Sequence, residues 1–206
     1  MKLLLIRHGM TKGNAEKRYV GRTDEPVLAR EKQRLQELSS ALYGKADPDF
    51  LYASPMLRCL ETADILFPDK RPVIIDDLRE CDFGRFEYKN WQELSTDPDY
   101  QRFIDTNGEA PFPGGESKAA FSARCALAFE RLAASWEECG NGQNASSGIP
   151  RTSVFVVHAG TIMAILEAFA MPHRDFYDWN IPNGGGFLAE WDPSAHRIIN
   201  IEPLPL

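Results

Sequence analysis

Apolar residues come along this chain in two rhythms. Short aliphatic and aromatic runs stand at Lys2–Ile6, Phe50–Ala53, Val73–Ile75, Val154–Val157, Gly186–Trp191 and Arg197–Ile201. Runs of this length between polar or turn residues predict strands. Between them the spacing lengthens to that of a helix. Arg30–Leu42 places Leu35, Leu38 and Leu42 inward, and Phe121, Cys125, Phe129, Leu132 and Trp136 recur at helical spacing through Ser117–Cys139. Pro55–Phe67 follows Ser54, a good N-cap, with Pro at the first helical position, where its missing N–H costs nothing. Thr161–Met171 reads as an apolar helix stopped by Pro172. Strands alternating with helices predict an α/β fold, a single-domain three-layer sandwich with a mainly parallel sheet and helices on both faces.

Two stretches stand outside that alternation. Cys139–Arg151, rich in Gly, Asn and Ser, predicts a mobile surface loop, and Asp105–Gly115 is irregular. No internal repeat divides the chain, and 206 residues are enough for one substantial core, so residues 1–206 are expected to form one domain.

A net charge of −7 argues against binding nucleic acid through a general basic surface. The charge is uneven, however: residues 1–22 hold six Lys or Arg against one acid, Glu16. Such a cluster is either a solvated surface or a local field that draws an anion into a cleft. The four cysteines (Cys59, Cys81, Cys125, Cys139) have no CxxC spacing and suggest neither a zinc site nor a disulfide framework. A reduced cytoplasmic setting is expected. No signal peptide or membrane span is read from the chain, so the sequon Asn144-Ala145-Ser146 carries no meaning there.

Chemistry collects where the predicted strands end. Leu3–Ile6 runs into Arg7-His8-Gly9, and Val154–Val157 runs into His158-Ala159-Gly160 at a helix start. Carboxyl ends of strands are where ligands gather in open α/β folds, and helix starts offer unpaired N–H groups to a phosphate. Arg58 lies in the first turn after the third such junction, where it opposes the helix dipole unless an anion is near. His8 is therefore a candidate nucleophile towards phosphorus, with Arg7 and Arg58 offsetting phosphoryl charge.

These motifs resemble those of the histidine phosphatase superfamily, the phosphoglycerate-mutase-like group. The resemblance rests on Arg7-His8-Gly9 through Asn14, on Gly21–Asp24 with Pro26, and on Ser54, Pro55, Arg58, Thr62 and Ala63. Leu78, Glu80, Asp82, Phe83 and Gly84, then Pro113–Ser117 and His158, continue it along nearly the whole chain. It implies a metal-independent phosphomonoester hydrolase with no cofactor, acting through a phosphohistidine on His8. Arg7, Asn14, Arg58, His158 and Ala159 would bind the phosphate and Glu80 would be the general acid. Asp82 and Glu87 read better as solvated loop carboxylates.

The chain departs from the family pattern at Glu31, Tyr88 and Ala159. It lacks the Glu-Arg-His-Tyr-Gly segment of the cofactor-dependent mutases, which favours hydrolysis over mutase chemistry. Its compact length and the Asn107–Ser117 stretch look most like the α-ribazole phosphatase branch of cobalamin nucleotide-loop assembly. Trp91, Tyr100, Phe103 and Phe112 are either local core or the wall of an aromatic leaving-group pocket. A broad-specificity phosphatase, a mutase-type enzyme and a catalytically weak phosphate-binding regulator are the alternatives. The expected partner is a small phosphomonoester, with no nucleic acid or membrane, and the chain is expected to be a monomer or homodimer.

Overall fold

The computed structural model describes residues 1–39, 48–140 and 151–204, with side chains up to residue 136 in the second segment. Leu42, the sequon and most of the loop expected at Cys139–Arg151 lie outside them.

The strands are β1 (Lys2–Arg7), β2 (Phe50–Ala53), β3 (Val73–Ile74), β4 (Thr152–Val157), β5 (Gly186–Asp192) and β6 (Arg197–Pro203). They form one sheet in the order β3-β2-β4-β1-β5-β6. Pairing is parallel from β3 to β1, and antiparallel from β1 to β5 and from β5 to β6. The helices are α1 (Lys12–Ala15), α2 (Ala29–Leu38), α3 (Leu57–Leu66), α4 (Trp91–Leu94), α5 (Pro98–Asp105), α6 (Lys118–Gly140) and α7 (Ala159–Phe169).

The pleat sends successive side chains of each strand to opposite faces. Leu3 and Leu5 of β1, with Phe155 and Val157 of β4, join Phe129 of α6 and Ile162 and Leu166 of α7. Leu4 and Ile6, with Val154 and Val156, join Leu35 of α2 and Cys59 and Ala63 of α3. Both faces are covered, which explains why β1 and β4 are continuous apolar runs rather than alternating ones. Each fully buried Leu, Val or Phe here contributes roughly 1.5–3 kcal/mol of transfer free energy.

This is the expected α/β sandwich with a mostly parallel sheet. Boundaries differ in two places that matter. α7 starts at Ala159, not Thr161, with His158 as its N-cap. α3 starts at Leu57, not Pro55, and its N-cap is Met56 without a side-chain bond. Ser54 does not cap that helix because its hydroxyl meets the His158 ring instead, 2.8 Å from Nε2.

Strand order brings the chemistry together. β2, β4 and β1 are neighbours running the same way, so Ser54, His158 and His8 emerge side by side at their carboxyl ends. Backbone bonds carry the ladder past the strands: His8 N–H donates to Val157 O (2.9 Å) and Ser54 N–H to Val156 O (3.2 Å).

Candidate active site

His8 is buried, 3% exposed, with its ring centroid 5.2 Å from that of His158. Its Nδ1 lies 2.8 Å from the Gly9 carbonyl oxygen. A carbonyl can only accept, so Nδ1 carries the proton and Nε2 keeps its lone pair. Gly9 N–H donates to Thr62 Oγ1 at 2.9 Å, fixing the turn to α3. A Cβ at Gly9 would press on the side chains of Leu35 and Val27 (2.7 and 2.9 Å), so any larger residue there would displace them.

Two guanidinium groups flank the ring. Arg7 donates from Nη1 to Ile181 O (2.6 Å), while its buried Nε has no acceptor. A buried N–H without a partner is costly, and a phosphoryl oxygen would satisfy it. Arg58 is wholly buried and turns back from α3 towards the loop at residues 20–23. Its Nε also donates to His158 Nδ1 (3.3 Å), so the His158 proton sits on Nε2 and is given to Ser54 Oγ. Both His158 nitrogens are thus engaged within the chain. In this arrangement Nδ1 holds the Nε–H of Arg58 and Nε2 faces Ser54 Oγ.

The two imidazoles are electrostatically matched to stay neutral. Burial first, and then the positive charges of Arg58 and Arg7, hold the His8 pKa well below the ordinary ~6.5. Burial and Arg58 do the same for His158. Glu80 is pushed the other way. Its carboxylate accepts N–H bonds from Cys81 (3.0 Å) and Gly160 (3.3 Å), yet burial outweighs these and the nearby Arg58 and Arg7, raising its pKa. A Cβ at Gly160 would meet the Glu80 carboxylate and push it out of this position.

Asn14 accepts at Oδ1 from Thr11 N–H (3.2 Å) and Asn183 Nδ2 (3.0 Å), which leaves its amide N–H groups as donors. Ala159 is the first residue of α7, so its N–H has no acceptor within the helix. Asn183, which sequence reasoning missed, also donates to His8 O (3.3 Å). Glu31 belongs to the same support: it pairs with Arg34, which donates to Asn183 O (2.8 Å). Its departure from the family pattern therefore builds a brace rather than breaking one.

Several sequence expectations need correction. Asp82 and Glu87 are not solvated loop carboxylates. Asp82 bonds Gly84 N–H and Arg22, and Glu87 takes two backbone N–H groups through one oxygen while the other is buried. Of the six N-terminal cations Arg7 reaches the site, while Arg18 pairs with Glu16 and Glu93, Lys12 with Glu16, and Arg22 with Asp82. Tyr88 has φ of +58°, the left-handed region glycine adopts freely. Its hydroxyl donates to Glu25 Oε2 (3.1 Å) and Arg18 stacks on its ring, which offsets the strain.

A cavity of about 340 Å³ opens beside Glu80, Ala159 and Gly160. Tyr19, Phe83, Phe103, Phe112, Phe121 and Tyr177 wall it, and Lys118 lies at its edge over the Phe176 and Tyr177 rings. Of the four aromatics singled out in the sequence, Phe103 and Phe112 line this cavity. Tyr100 packs behind them, in ring contact with Phe86 and Phe103, and Trp91 is exposed.

The model of the histidine phosphatase superfamily (branch 1) matches residues 3–202. The chain belongs to the histidine phosphatase superfamily. Among relatives of this histidine phosphatase, adenosylcobalamin/alpha-ribazole phosphatase of Escherichia coli K12 is 30% identical over 89% of this chain and 87% of its own. Phosphoglycerate mutase-like protein 4 of Arabidopsis thaliana is 31% identical over 64% of this chain and 60% of its own. The fold matches the alpha-ribazole phosphatase of Shigella flexneri with a TM-score of 0.78 (23% identity, 96% and 93% coverage). A phosphoglycerate mutase from Thermus thermophilus matches with 0.69 (28% identity, full coverage of both).

Two buried neutral imidazoles make this histidine phosphatase acid-sensitive. Below ~6.5 the unfolded chain binds protons that the folded His8 and His158 refuse. Their contribution to stability is therefore full above that value and is lost as pH falls towards the lower folded values. We expect Tm to drop between about pH 7 and pH 5, and to drop less in His8→Asn, in which one of the two groups is removed. Equal slopes in thermal melts of the two proteins would exclude His8 as a source.

Proposed function

We propose that residues 1–206 form one catalytic domain that hydrolyses small phosphomonoesters through a phosphohistidine on His8. The observation that carries this reading is the His8 ring itself: Nδ1–H is tied to Gly9 O, and the chain provides Arg7 and Arg58 beside it. Arg7, Arg58, Asn14 and the Ala159 N–H bind the phosphoryl oxygens, with His158 acting through Arg58. Nε2 attacks phosphorus as the ester P–O bond breaks, and Glu80 gives its proton to the leaving oxygen. The Gly9 carbonyl supports the positive charge that develops on the ring. Glu80, now a carboxylate, takes a proton from water as the new P–O bond forms and the P–N bond breaks.

The leaving group is an alcohol bearing an aromatic base, as in α-ribazole 5′-phosphate. Supporting this are the aromatic cavity beside Glu80 and the adenosylcobalamin/alpha-ribazole phosphatase relative. The rival is a broad-specificity or mutase-type enzyme, to which the phosphoglycerate mutase relatives point. The reading includes a cytoplasmic monomer or homodimer with no nucleic-acid or membrane partner. In keeping with a reducing setting, Cys59, Cys81 and Cys125 are buried and unpaired. No helix among the described residues is long and apolar enough to cross a membrane.

A ranking of phosphomonoesters by kcat/KM, with α-ribazole 5′-phosphate among them, tests the substrate. Phe112→Ala should raise KM for that ester about 10-fold, the effect of about 1.4 kcal/mol of lost ring contact, and leave small alkyl phosphates within about twofold. Equal losses for both substrate types would remove the cavity from the leaving-group path. Phosphate binding without turnover would instead favour a regulatory protein.

A further inference from the structure

Arg58 has five N–H donors, and four of them are occupied within the chain. Nε meets His158 Nδ1 (3.3 Å), Nη1 meets Thr23 O (2.9 Å), and Nη2 meets Gly21 O (2.8 Å) and Val20 O (3.4 Å). Three of these four acceptors are carbonyls of one loop, and that loop belongs to no helix or strand. Carbonyls on such a loop can aim a guanidinium only if something else holds the loop.

That something is Glu87. Its Oε1 accepts the N–H of Gly21 (2.9 Å) and the N–H of Thr23 (2.8 Å), so the segment is pinned on both sides of Arg22. Oε2 is buried and accepts nothing, so the pose of the carboxylate is set by the two bonds at Oε1. A short backbone ladder keeps Glu87 in place beside the loop: Tyr88 N–H donates to Tyr19 O (2.8 Å) and Tyr19 N–H to Lys89 O (2.9 Å). Gly21 allows the close approach, since a Cβ there would collide with the Cys81 carbonyl.

We propose that Glu87 is a positioning residue for phosphoryl transfer, holding the loop at residues 21–23 so that its carbonyls set the plane of Arg58 against the phosphoryl group. The inference rests on the role proposed above for Arg58. Glu87 touches no reacting atom. Its work is done through the loop backbone, and its loss would leave Arg58 charged and present but misaimed.

Glu87→Met keeps the bulk and removes the acceptor, while Glu87→Gln keeps an oxygen for both N–H groups. In the full-length enzyme, well below each variant's Tm, Glu87→Met should lower kcat/KM and weaken orthovanadate binding by about 100-fold, the scale of a roughly 1 Å misplacement. Glu87→Gln should stay within about fivefold of wild type, and adding Glu87→Met to Arg58→Ala should cost less than about threefold more. A Glu87→Met protein with wild-type vanadate affinity, or a loss that adds fully to that of Arg58→Ala, overturns the proposal. Should Glu87→Met fail to fold, Glu87→Asp withdraws the carboxylate by one methylene and is expected to lose about tenfold in both measures. An Asp variant indistinguishable from wild type overturns it equally. Failure of the parent reading would look different: turnover would then survive His8→Ala.

Discussion

His8→Ala is expected to reduce kcat/KM by about 10⁴-fold or more and to abolish trapping of labelled phosphate on the protein. The size follows from what the residue does. Removing a donor from a phosphate site weakens transition-state binding, but removing the nucleophile eliminates the two-step route. Water would then have to attack a bound dianionic ester directly, helped only by the remaining phosphate-binding groups and Glu80. The geometry makes the loss specific to one atom. Nδ1–H is tied to Gly9 O at 2.8 Å, so Nε2 is the attacking nitrogen. Burial and the flanking guanidinium groups keep the ring neutral, so no separate base is needed to free the lone pair. Quenching into alkaline detergent during turnover of a ³²P-labelled ester should trap an acid-labile, alkali-stable phosphoprotein in wild type and none in His8→Ala. A variant that keeps its activity, or label that persists without His8, would place the chemistry elsewhere.

The parts of this site that sequence reasoning reaches are those in which a side chain follows a strand. Arg7-His8-Gly9 and His158-Ala159-Gly160 stand out because an apolar run buried on both faces ends abruptly in polar residues. Ser54-Pro55 shows where such reading misleads. Ser before Pro fits a helix start, but it fits equally a hydroxyl held by another strand end, and the His158 contact decides it. That contact depends on β2 lying beside β4, an order that no local pattern specifies. The setting of Arg58 is hidden for a related reason. Its acceptors are carbonyls, which every residue has, and the carboxylate that places them is 64 residues away from Thr23 in the chain. Asn183 sits in an Asn-Gly-Gly-Gly stretch that reads only as a turn. By contrast, α4 and α5 carry legible signals in their caps: Asn90 with Glu93 forms a capping box, and Asp97-Pro98 is a cap followed by Pro. They are too short for hydrophobic periodicity to mark them.

Glu80→Gln is expected to be the second largest loss, about 10²–10⁴-fold in kcat for alkyl esters and far smaller for nitrophenyl phosphate. The asymmetry is the diagnostic. An alkoxide leaves with high basicity and needs a proton in the transition state, whereas a nitrophenolate leaves without one. Gln can still accept one of the two N–H bonds that Glu80 receives on separate oxygens, from Cys81 at Oε1 (3.0 Å) or from Gly160 at Oε2 (3.3 Å), so the side chain keeps one anchor while the transferable proton is lost. The pH profile supplies an independent check. Glu80 has its pKa raised by burial and serves as an acid when protonated, so its titration sets the alkaline limb for alkyl esters. His8 must be neutral to attack, and its pKa is held low, so its titration sets the acid limb below the usual imidazole range. Glu80→Gln should therefore flatten the alkaline limb and leave the acid limb in place. A uniform loss across leaving groups, with both limbs unmoved, would show that Glu80 shapes the cleft without passing a proton. In that case the carboxylates that share a cleft with Glu80, Asp82 and Glu116, are poor substitutes, because each is already committed to an arginine and a backbone N–H.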